Sequence, residues 1–219
     1  MIKKTEASFH KSLEATHETN QELLQSMLQL LNRISYVKPE QIPDLDLYMD
    51  QVTGFMDEHL KKVKRHPDDK ALTKTMINNY TKARILPPPV KKKYSKEHLF
   101  MLLFVYYYKG ILSLDDLNTV LTPLHEKHFG QEKTPNIDLI YREVFALEAS
   151  QMDVLKKDIK QKFALSEQTF SKDKQAFSKL PENERAELQM FAFICELAFD
   201  VYLKKLLMEK LCDTLKSEC

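Results

Sequence analysis

Apolar residues recur at three- and four-residue spacing along most of the chain, and this rhythm predicts helices almost throughout. Leu23, Leu24, Met27, Leu28, Leu31 and Ile34 form one stripe in a helical region over about 5–35, and Thr19 with Glu22 has the form of a capping box inside it. Pro39 and Pro43 make Val37–Asp46 a linker and an expected boundary. Leu47, Tyr48, Val52, Phe55, Met56 and Leu60 predict a helix over about 46–63, which His66–Asp69 ends. Thr73 is a suitable N-cap for a helix over about 74–84. Its apolar side is Leu72, Met76, Ile77, Tyr80 and Ala83; its polar side is Lys74, Thr75, Asn78, Asn79 and Lys82. Pro87, Pro88 and Pro89 stop it, because each lacks an N–H and restricts the residue before it.

Val90–Tyr94 then reads as a short basic extended piece, or wing. Ser95 opens a helix over about 96–109 that is apolar on nearly every side and so must be buried between others, and Gly110 suits its end. Ser113 starts a short helix expected to end before Pro123, and 122–135 reads as a second linker. Ile137, Ile140, Tyr141, Val144, Met152, Leu155 and Ile159 form a long stripe with Glu148 as its one polar interruption. A loop near 164–180 leads to Pro181 and a long helix to about 216. The expected class is all-α.

Composition narrows this picture. Only 3 glycines in 219 residues argue against tight-turned sheets and Gly-rich phosphate loops. Three cysteines do not make a disulfide framework, so a cytoplasmic setting is expected. The start is not a secretory signal, and Leu99–Tyr108 is about half of the ~20 residues a bilayer span needs, so no membrane partner is expected. No nucleotide, Gly-x-Ser-x-Gly or zinc-helix motif occurs, which points away from an enzyme and from any cofactor. His125, Glu126 and His128 lack zinc spacing and fit a polar linker; Asp115 and Asp116 fit a helix first turn. Tyr106, Tyr107 and Tyr108 fit packing, and Cys195 fits a small core residue.

Charge changes the picture most. Residues 70–96 hold eight Lys/Arg and no Asp or Glu, whereas the whole chain is only +1. Such a segment concentrates polyanions. Asparagine can bond adenine bidentately, threonine can touch a thymine methyl, and lysine can reach guanine or phosphate. Base-edge contacts are therefore expected from Thr75, Asn78, Asn79 and Lys82, and phosphate contacts from Lys74, Arg84, Lys91, Lys92, Lys93 and Tyr94.

The order Ile77, Tyr80, Ile85, Leu86, Pro87, Tyr94, Ser95 and Leu99 resembles the DNA-binding domain of MerR-type transcriptional regulators, in which a recognition helix ends at a proline stop before a wing and a third helix. Asp46–Val52, Leu72–Tyr80 and Pro87–Tyr94 more closely resemble the YkrK-like family of uncharacterised bacterial helix–turn–helix proteins. The resemblance covers about 40–125. It implies a helix–turn–helix DNA-binding domain there, a homodimer on a palindromic duplex site, and room for an unknown small-molecule effector. Residues 1–36 would be a helical arm and 135–219 a helical dimerisation or sensing region. The chain departs from the MerR pattern in four places. Asn78 and Asn79 precede Tyr80, the wing lacks glycine, and the connection between the two motif helices is longer. Arg84 replaces a glycine, so a differently made turn is expected there. The competing reading is a protein-interaction module whose basic helix binds an acidic partner.

Overall fold

The computed structural model describes residues 20–33, 36–66, 68–131 and 135–217. Among them the fold is all-α: α1 (Asn20–Arg33), α2 (Met49–His59), α3 (Lys74–Lys82), α4 (Lys96–Tyr108), α5 (Leu114–His128), α6 (Ile137–Glu167) and α7 (Glu182–Ser217). The two strands, β1 (Leu47–Tyr48) and β2 (Lys93–Tyr94), pair antiparallel with Leu47 opposite Tyr94 and Tyr48 opposite Lys93. No described helix is long and apolar enough to cross a membrane.

The chain groups into two compact units, one of 1–33 with 153–197 and one of 34–152 with 198–219. The linear division expected from the sequence thus gives way to one in which α6 and α7 contribute to both. The smaller unit buries Leu24 and Leu28 of α1 against Phe163 and Phe193, whose rings meet edge to face at 5.3 Å. Asn20 Nδ2 donates to the Ala186 carbonyl at 3.1 Å. The larger unit is built around α4, in which every residue from His98 to Val105 is buried. That explains its lack of a polar face: α4 meets protein on all sides. Val52, Met56, Ile77, Leu86, Leu117 and Tyr141 pack with it into one core.

Several expectations change. The helix expected over 46–63 begins only at Met49, since Leu47 and Tyr48 are drawn into the strand pair; it ends at His59, with a 3-10 turn over Lys61–Val63. The supposed linker before it belongs to the core. Val37, Pro39 and Ile42 are buried, the Val37 N–H donates to the Tyr107 hydroxyl at 3.1 Å, and the Tyr141 hydroxyl donates to the Val37 carbonyl at 2.7 Å. Pro123 lies inside α5, which continues to His128. One lost N–H is outweighed there by Leu117 and Leu121 in the core with Leu124 packed against it. The Thr19 cap lies outside the described residues.

Candidate nucleic-acid interface

Thr73 caps α3 by accepting from the Met76 N–H at 3.2 Å. Burial of Ile77 and Tyr80 then fixes the helix's rotation, and leaves Lys74, Thr75, Asn78, Asn79 and Lys82 exposed together. The helix ends in a Schellman turn. The Ile85 N–H donates to the Tyr80 carbonyl at 3.0 Å, the Arg84 N–H donates to the Thr81 carbonyl at 3.1 Å, and Arg84 itself is left-handed at φ 63. The turn is therefore the one a glycine would make, contrary to the expectation for Arg84. Neighbours hold it in place: the Thr122 hydroxyl donates to the Arg84 carbonyl at 3.2 Å, and His125 Nε2 lies 2.7 Å from the same oxygen. Arg84→Gly is expected to raise stability by about 1 kcal/mol by relieving this conformation, read as an increased urea midpoint. An unchanged or lowered midpoint would show that the turn is unstrained.

Beyond the prolines, Val90 and Lys93 exchange backbone hydrogen bonds at 3.1 and 2.9 Å across Lys91 (φ 50) and Lys92 (φ 65). This is a two-residue type I′ turn, built from lysines where asparagine and glycine are usual. Both side chains are exposed at its tip. β2 fixes the hairpin to β1, and the Lys93 ammonium lies 5.4 Å over the exposed Tyr48 ring. Tyr48 was expected on a core stripe; strand alternation with buried Leu47 turns it outward instead. Two residues on, Asp50 pairs with Lys74 at the start of α3. The strip Lys93–Tyr48–Asp50–Lys74 thus joins hairpin to helix. Tyr48 and Asp50 were missed in the sequence; their signal was the alternation in Leu-Tyr before the helix.

Tyr94 is corrected. It is buried in the core with its ring 5.4 Å from that of His98, which removes it from the phosphate-facing set. The eight cations also divide. Lys70 pairs with Asp57, Lys74 with Asp50 and Lys96 with Asp138. Lys93 covers Tyr48. Among the described residues, Lys82, Arg84, Lys91 and Lys92 have no ion-pair partner, and all four are exposed. His125 and His128 spend a ring nitrogen each on the carbonyls of Arg84 and Pro135, and no metal-competent cluster occurs among the described residues.

Beneath the hairpin, His98 occupies the first turn of α4. Its Nδ1 accepts from the Ser95 N–H at 2.9 Å, and its buried Nε2 has no hydrogen bond of normal geometry. The ring packs edge-on against Tyr94 and Phe129. Burial outweighs the nearby Pro87 and Pro88 carbonyls and holds its pKa down from 6.5 to about 4. The unfolded chain therefore binds the extra proton first. Stability should fall as pH drops from 6.5 towards 4, by up to about 3 kcal/mol. His98→Gln, which keeps an acceptor for the Ser95 N–H, is expected to flatten that slope in urea titrations at pH 7, 5 and 4. A slope equal to the wild type would rule His98 out as its source.

Residues 37–144, which span β1, α2–α5 and the hairpin, match the family described as Domain of unknown function (DUF1836). No curated protein and no solved structure matches the chain.

Proposed function

We propose that the segment 37–144 binds duplex DNA sequence-specifically, as a cytoplasmic helix–turn–helix transcriptional regulator of MerR-like type. The observation that carries the reading is the single exposed face of α3, where Thr75, Asn78, Asn79 and Lys82 stand together, free of core contacts, on a helix whose rotation the core fixes. Lys91 and Lys92, raised on a stiff hairpin, supply unpaired charge for the backbone. The long C-terminal helix supports a homodimer: Val201, Leu207 and Leu211 are exposed on it, each more than 60%. A two-fold dimer reads a palindrome.

Duplex selection on the purified protein should return an enriched palindromic site, bound with steep salt dependence. Asn79→Ala should relax preference at one position by about 1–3 kcal/mol, whereas Lys92→Ala should weaken all duplexes alike. Equal, weak binding of selected and random duplex at moderate salt would overturn the reading. One observation favours the alternative of an acidic protein partner: Asp50 sits within the basic face and already neutralises Lys74. A partner that displaces no duplex in competition would support it.

A further inference from the structure

A second feature lies away from the α3 face, where the long connection between α2 and α3 meets the end of α4. A cavity of about 590 Å³ opens there, within the range of small-ligand sites. Its walls include Tyr36, Tyr106 and Tyr107, with Tyr36 and Tyr107 packed edge to face at 4.2 Å. Tyr107 is held by its hydrogen bond from Val37, so this wall is preformed.

The polar lining is cationic: Lys64, Arg65, Lys70 and Lys109 against Asp69 alone. Behind it, one carboxylate serves two of these cations: Asp57 accepts from Lys64 at 2.9 Å and lies 3.3 Å from Lys70. The other two are unbalanced. Arg65 is exposed and has no ion pair among the described residues. Lys109, part-buried at the end of α4, donates to the Ala71 carbonyl and lies 5.0 Å from the Tyr106 ring, with no carboxylate in ion-pair range among the described residues. An ammonium has three donors, so Lys109 keeps one to give. Burial alone lowers its pKa, as expected for a cation without a counter-charge.

We propose that this cavity binds a small aromatic carboxylate, its ring against the tyrosines and its carboxylate between Lys109 and Arg65. The stacking surface takes a planar apolar body, and the excess charge takes the anion. The same geometry gives the ligand leverage on the chain. It would join the end of α4 to the connection that runs through buried Ala71 and Leu72 into the α3 cap at Thr73. The site itself does not depend on what α3 binds.

The test uses the full chain without DNA, titrated calorimetrically with 1-naphthoate and with neutral 1-naphthalenemethanol. Wild type should bind naphthoate more tightly than the alcohol. Lys109→Met should weaken naphthoate by about 10- to 100-fold while leaving the alcohol nearly unchanged. Exposed Arg65→Gln should act in the same direction, and it guards against a folding defect in the first variant. Lys91→Gln with Lys92→Gln should change neither. Equal affinity for acid and alcohol, no naphthoate binding at millimolar concentration, or full naphthoate affinity in Arg65→Gln and in a folded Lys109→Met would overturn the proposal. With no duplex present, none of these results bears on the α3 face.

Discussion

Replacing Lys82, Arg84, Lys91 and Lys92 together by glutamine is expected to lower duplex affinity by about 10³-fold near 0.1 M salt and to flatten its salt dependence. Each phosphate neutralised by a cation releases condensed counterions, so the slope of log affinity against log salt changes by about 0.9 per contact. Four lost contacts per protomer would remove about 3–4 from the slope. The control is the triple replacement of Lys70, Lys74 and Lys96. These belong to the same acid-free segment, but each already faces a carboxylate of its own chain. Their field at a phosphate is largely cancelled, and removing them should cost much less. Fluorescence anisotropy over a salt series measures both. Comparable losses from the two sets would mean that bulk charge, not its arrangement, drives binding.

Arg185→Met is expected to destabilise the unit of 1–33 and 153–197 by about 3–5 kcal/mol. Arg185 is 4% exposed, and its guanidinium donates to the carbonyls of Phe170, Phe177 (3.1 Å) and Leu180 (3.1 Å). It thereby satisfies three backbone acceptors of the 168–181 loop with one side chain, while Gln189 Nε2 adds bonds to the Glu167 and Thr169 carbonyls. Methionine fills similar volume but leaves those acceptors without their donor, at about 1–3 kcal/mol each when buried. Amide exchange at Leu24, Phe163 and Phe193 should accelerate accordingly. A loss below 1 kcal/mol would show that water replaces the guanidinium at little cost.

The parts legible in the sequence were those governed by local period. The exposed face of α3 and the buried stripe beneath it follow from 3.6-residue spacing, as do the extents of α6 and α7. Ser113 with Asp116 in its capping box was readable for the same reason. What stayed hidden depended on partners distant in sequence. Pro123 reads as a stop until Leu117 and Leu121 are seen in the core. Arg84 reads as a broken glycine turn until Thr122 and His125 are found holding its carbonyl. Tyr48 fits a helical stripe, and only its pairing with Lys93 makes it a strand residue facing out. Tyr94 looked like a phosphate ligand because the segment around it is basic, but the strand register turns it inward. The charge count was correct, yet it could not show that three of the eight cations are answered by their own chain.

The tyrosine clasp on Val37 sets the smallest piece of this chain able to stand alone. A fragment cut at residue 40, where the proline-bearing segment suggests a boundary, would discard the backbone that Tyr107 and Tyr141 hold from either side. It would leave two phenol groups facing a vacated groove beside Phe100, whose ring lies 4.6 Å from that of Tyr141. Four residues of apparently dispensable leader therefore act as the keystone between α4 and α6, and dissection of the DNA-binding half should begin no later than Tyr36.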